Sequence, residues 1–89
     1  MIKYIVEGKR WFDKVNGNTY HSVSITNART NTLMHHRTMI YGYGDQYRHT
    51  ALSWLIGQCK FKSEDRFNHE LIRSMIYFNV VDVPRKKDL

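Results

Sequence analysis

The chain has 89 residues, 42% of them hydrophobic and 13% aromatic, with a formal net charge of +6 and a sequence pI near 9.7. A chain this short holds one core, so a division into two domains is excluded, and a single proline with no low-complexity run argues against disorder over most of it. The one cysteine, Cys59, excludes an internal disulfide and any multi-cysteine zinc site, which fits a protein made in a reducing compartment.

The N-terminal MIKYIVEGKRW has an apolar run too short for a signal peptide, broken at once by Glu7, Lys9 and Arg10. The β-prone residues Tyr4, Ile5 and Val6 begin a first strand that continues through Lys9–Asp13, with Gly8 read as a bulge or bend. Asn16-Gly17 is a strong short hairpin signal, because both residues tolerate positive φ. In TYHSVSIT, residues 19–26, His21, Val23 and Ile25 alternate with Tyr20, Ser22, Ser24 and Thr26, the pattern of a half-buried strand. NARTNT supplies a polar turn, and Leu33–Tyr41 forms the third strand of an antiparallel meander.

The period then changes. Asp45 is suited to an N-cap, and Tyr47, Ala51, Trp54 and Leu55 recur at helical spacing. A second helix is expected from Ser63, with Phe67, Leu71, Met75 and Phe78 along its apolar face. Asn79–Val83 has the composition of a short closing strand, stopped by Pro84. The fold class expected is α+β: a three-stranded antiparallel meander followed by two helices packed on one sheet face, with room for a short C-terminal strand. Residues 1–84 form the globular domain, and 85–89 are read as a basic flexible tail. The second sheet face stays open to a partner.

Several motifs bear on chemistry. Gly42-x-Gly44 precedes a helix, as in phosphate-binding loops, but the third glycine of a dinucleotide fingerprint is replaced by Tyr47, and no Gly-Lys-Ser/Thr ending follows. The Asp45 charge also opposes an anion at that helix start. Tyr41, Tyr43 and Tyr47 cluster there beside Arg48 and His49, a combination suited to base stacking or to a protein interface. His35 and His36 are adjacent and point to opposite faces, so a metal site would need His21 opposite one of them and a third ligand; none is expected. Cys59 and His69 could serve as nucleophile and base, but no Gly-x-Ser-x-Gly element or paired acids support catalysis, and no enzyme activity or cofactor is expected.

Basic residues fall in three groups: Lys9, Arg10 and Lys14 near the first hairpin, Arg66 and Arg73 on the second helix, and Arg85–Lys87 in the tail. Three strands, a Gly-x-Gly turn and a basic helix start resemble the second half of double-stranded-RNA-binding domains. The lysines of that family are replaced here by Gln46, Tyr47, Arg48 and His49, and its leading helix is missing. The segments GKRWFDKVNGNTYHSV and YGYGDQYRHTA resemble recurring segments of small bacteriophage-encoded proteins over Gly8–Ala51. That resemblance implies a phage protein acting in the cytoplasm of a bacterial host, and it assigns no residue a role.

Three functions follow as expectations. The first is nucleic-acid binding through the open sheet face, with Lys9, Arg10, Lys14, Tyr20, Tyr41, Tyr43, Tyr47, Arg48, Arg66 and Arg73 as candidate contacts. The second is capture of an acidic host protein surface, as in host takeover by an inhibitor of a defence or transcription complex. The third is a small-ligand site or enzyme, which requires a concavity near Tyr43, Asp45 and Tyr47. A membrane partner is not expected, and an exposed edge strand leaves room for a homodimer.

Overall fold

The computed structural model describes residues 1–89 and has the expected α+β fold, with a fourth strand completing the sheet. The strands are β1 (Tyr4–Asp13), β2 (Asn18–Asn27), β3 (Thr32–Tyr41) and β4 (Ile76–Asp82), in the order β3-β2-β1-β4. The first three form the antiparallel meander, and β4 pairs in parallel with β1. Helices α1 (Gln46–Gly57) and α2 (His69–Met75) lie between β3 and β4 in the chain. No helix is long and apolar enough to cross a membrane.

The two hairpins are built alike. Asp13 and Asn27 each end a strand and accept, through a side-chain oxygen, the amides of the residues two and three positions on. Each loop has four residues, and the last of them, Gly17 (φ 69°) or Asn31 (φ 56°), takes the left-handed conformation and donates its amide back to the same Asp or Asn carbonyl at 2.7 Å. The two-residue Asn16-Gly17 turn is therefore replaced by a four-residue loop, because the Asp13 carboxylate organises the turn one residue earlier than the Asn-Gly signal suggests.

The second helical segment also differs. Ser63–Phe67 is a 3-10 turn, and Asn68 interrupts it because its side chain accepts the Leu71 amide at 3.1 Å and restarts the chain as α2. Phe67 is consequently exposed instead of lying on an apolar stripe. The chain turns extended at Ile76, where β-branched and aromatic residues (IYFNVV) favour pairing with β1 over further helix. At the C-terminus, Lys86–Asp88 forms a 3-10 turn in contact with β1.

One sheet face carries the core. Val6, Val23, Ile25 and Ile76 point toward Tyr47, Ala51, Leu52 and Leu55 of α1, with Phe61 and Ile72 closing the cluster. Gly8 is neither a bulge nor a bend; it sits in regular register between Val23 and Val80. Its missing side chain is required by packing, since a Cβ there would lie 2.6 Å from Cδ2 and 2.8 Å from Cγ of the buried Tyr47 ring. Gly8→Ala should therefore cost about 1–3 kcal/mol, the usual penalty for overpacking a tight core. Urea denaturation should show the midpoint falling with an unchanged slope, whereas Gly57→Ala, where nothing lies within 4 Å, should not lower it.

Candidate functional site

Strand alternation divides β1 cleanly. Val6 and Gly8 face the helices, so Ile5, Glu7, Lys9 and Trp11 face the uncovered side. Register places Trp11 opposite Tyr20 and Tyr20 opposite Tyr41. The three rings form a row across β1, β2 and β3 at one end of that face. Trp11 and Tyr20 have centroids 6.1 Å apart with planes 24° apart, and Tyr20 and Tyr41 meet edge to face at 5.9 Å and 77°. Trp11 and Tyr20 are half-buried by their neighbours, while Tyr41 is 63% exposed.

Cations border this row. Lys9 is exposed beside Ser22 on the same face, and Lys14 opens the adjoining hairpin loop. The C-terminal 3-10 turn brings Lys86 near Asp13, whose carboxyl is held below the usual carboxylate range first by the Asn16 side-chain hydrogen bond and to a lesser degree by Lys86. Two carboxylates share the open side of β1 with Trp11: Asp13 two positions on, opposite Asn18, and Glu7 four positions back, between Ser24 and Asn79.

Around the rim, on the side facing the helices, the exposed rings of Phe12 and Tyr43 line a cleft of about 410 Å³ with Thr19 and Val83. At the same cleft Arg10 Nε donates to Asp82 Oδ1 at 2.8 Å, and Arg10 Nη1 donates to the Gly44 carbonyl at 3.2 Å. One guanidinium thus ties β1 to β4 and to the glycine turn. Segments 8–23 and 41–51 meet here: Arg10, Phe12 and Thr19 from the first, Tyr43 and Gly44 from the second.

The glycine turn is anchored beneath by His21, which is buried at 1% exposure. Its Nδ1 lies 3.3 Å from the Gly42 carbonyl and its Nε2 lies 3.0 Å from Thr50 Oγ1 of α1. A carbonyl only accepts, so in the neutral ring Nδ1–H donates to Gly42, and the single Thr50 hydroxyl proton is divided between Nε2 and the Gln46 carbonyl 3.3 Å away. Asp45 makes no side-chain cap; it lies 3.9 Å from Arg48 Nε, and the amides of Gln46 and Arg48 are taken by the backbone carbonyls of Tyr43 and Asp45.

The other sequence candidates are dispersed. Tyr47, expected at the interface, is a core residue at 1% exposure with its ring edge-on to Phe78. Arg48 lies over the Phe78 ring at 4.8 Å, Arg66 donates to Ser53 Oγ at 3.2 Å, and Arg73 is exposed on α2, all in the helix layer. The basic residues therefore do not form one patch: Lys9 and Lys14 accompany the rings, Arg10 is ion-paired at the rim, and the other three lie elsewhere. Tyr43 and Asp45 share a cleft of about 410 Å³ with Tyr41, Gln46 and His49, but Tyr47 is outside it. His21 pairs with Ile40, whereas His35 and His36 lie opposite Ile25 and Ser24, so His21 is across from neither. His35 instead stacks on Trp54 at 4.6 Å, and Cys59 and His69 line different clefts.

Trp11 and Phe12 are the residues that the sequence reading missed. The signal was the alternation Glu7-Lys9-Trp11 against Val6-Gly8, which treating Gly8 as a bulge interrupts. No family model, curated protein or solved structure matches the chain.

Burial lowers the folded-state pKa of His21 and of His35 below the ordinary value of 6.5, and for His35 the charges of Arg37 and His36 add to it. The unfolded chain then binds protons more readily, so stability is complete above about pH 6.5 and declines as pH falls through the folded pKa values. Denaturation midpoints should drop from pH 7.5 to pH 5.5, and His35→Gln should shallow that dependence; a midpoint that rises over the interval contradicts the assignment.

Proposed function

We propose that the protein binds single-stranded nucleic acid across the open face of its sheet, with Trp11, Tyr20 and Tyr41 stacking on bases. The carrying observation is the row of three rings on a face that no helix covers. Unpaired bases expose their π-faces, whereas a duplex keeps them inside its stack, so a row of aromatic rings suits single strands. Lys9, Lys14 and Lys86 stand where phosphates flanking stacked bases can be neutralised, and the net charge of +6 favours encounter with a polyanion. Stacking tolerates any base, so broad sequence preference accompanies this reading. The resemblance to phage-encoded proteins supports a phage or host transcript or a replication intermediate in the bacterial cytoplasm as the target.

Fluorescence anisotropy with a labelled thymidylate dodecamer tests the proposal. Binding should weaken steeply from about 50 mM to about 200 mM salt as counterion release loses its advantage. Trp11→Ala and Tyr41→Ala should each cost about 1–3 kcal/mol, roughly a 5- to 150-fold loss of affinity, and Arg66→Gln should leave it unchanged. Failure of thymidylate and uridylate dodecamers to bind at low salt, or full binding by both aromatic variants, overturns the proposal.

A further inference from the structure

The sheet has two edges, and they differ. On β3 the pairing with β2 shifts register twice, and Met39 takes a positive φ of 59°, irregularities that hinder addition of another strand. β4 pairs with β1 in unbroken register from Ile76 to Asp82. In a parallel ladder the amide and carbonyl of one residue point to the same side. The Val83 amide donates to the Arg10 carbonyl at 2.8 Å, which fixes the phase: Tyr77, Asn79 and Val81 address β1. Phe78, Val80 and Asp82 therefore direct amides and carbonyls outward, where the sheet has no further strand.

Beside the Ile76 end of this edge lies a cleft of about 340 Å³, far along β4 from the aromatic row. Arg48 and Arg73 supply its charge, His69 and Tyr77 add polar groups, and its apolar lining includes Ile2, Ile76 and Phe78; no carboxylate lines it. Arg48 is held in place by the Phe78 ring and by donation to the Tyr47 hydroxyl at 3.3 Å; its Nε lies 3.9 Å from the exposed Asp45 carboxylate, a looser pair than that of Arg10 with Asp82. Arg73 makes no salt bridge.

We infer that the β4 edge takes an extended acidic segment of a partner protein as a fifth strand, with its carboxylates at Arg48 and Arg73. An edge of alternating donors and acceptors is matched by another peptide backbone. Phosphates only accept, so the sugar-phosphate backbone of DNA leaves the Phe78 and Val80 carbonyls unanswered. A second copy supplies the wrong charge, since β4 itself carries one acidic residue, Asp82, which is already paired with Arg10.

The test uses a blocked octapeptide of alternating glutamate and valine, followed by amide NMR of the whole protein. Expected are shifts and slowed hydrogen exchange at Phe78, Val80 and Asp82, with no shift of the Trp11 indole. Arg73→Gln, an exposed change that spares the core, should weaken binding several-fold, and Arg48→Gln/Arg73→Gln at least tenfold. Of two peptides N-methylated at alternate residues in the two phases, one should fail to bind. A lysine-valine peptide should leave the spectrum unchanged. The inference is overturned if the acidic peptide leaves those amides unmoved or if both N-methylated peptides bind as well as the parent. It is also overturned if a thymidylate dodecamer occupies the edge more tightly than the peptide, or if the protein alone sediments as a dimer with those amides already protected.

Discussion

The Tyr47 ring rests on bare backbone at Gly8, and the rest of the molecule is arranged around that approach. Gly8 lies at the centre of β1, one of the two strands that pair on both sides, and Tyr47 is in the first turn of α1. With the ring seated there, α1 covers Val6, Val23 and Ile25, and the parity of β1 is settled: even-numbered positions are covered and odd-numbered ones are left open. Trp11 is on the open side for that reason alone. Shifting β1 by one residue would bury Lys9 and Trp11 under the helix and expose Val6, at a cost the core does not permit.

A second contact serves the same geometry from the other side. His21 bonds to the glycine turn and to α1 at once, so Tyr41 and Tyr43 leave the sheet at a set angle although Gly42 lies between them and Gly44 follows. Arg10 secures the turn again through the Gly44 carbonyl. Displayed rings on a fixed support lose little entropy on stacking, which is the property that a binding row of aromatics requires.

Much of this was legible in the residues. The alternation of TYHSVSIT gave the covered and open sides of β2 correctly, and the change of period after Gly44 located α1. What escaped has physical causes. Asn68 and the β-branched run after Met75 decide locally between helix and strand, and apolar spacing alone counts Phe67 and Phe78 as one stripe. Tyr47 looked displayable because its neighbours are polar, and only the pairing of its ring with a glycine on a distant strand shows why it is buried. The dispersal of the arginines depends on which layer each element joins, which no single segment encodes.

The open face and the β4 edge are separate surfaces, one aromatic with lysines at its border and the other cationic with a free backbone. A protein with both could hold a strand of nucleic acid and a protein partner together. The account stands or falls on the aromatic row. Its most direct measurement is the ring-proton NMR spectrum during titration with a thymidylate dodecamer. Stacked bases should move the Trp11, Tyr20 and Tyr41 ring signals upfield and leave those of Trp54, which lies on α1 and stacks on His35, in place. Binding that leaves the Trp11 and Tyr41 ring signals unmoved would contradict it.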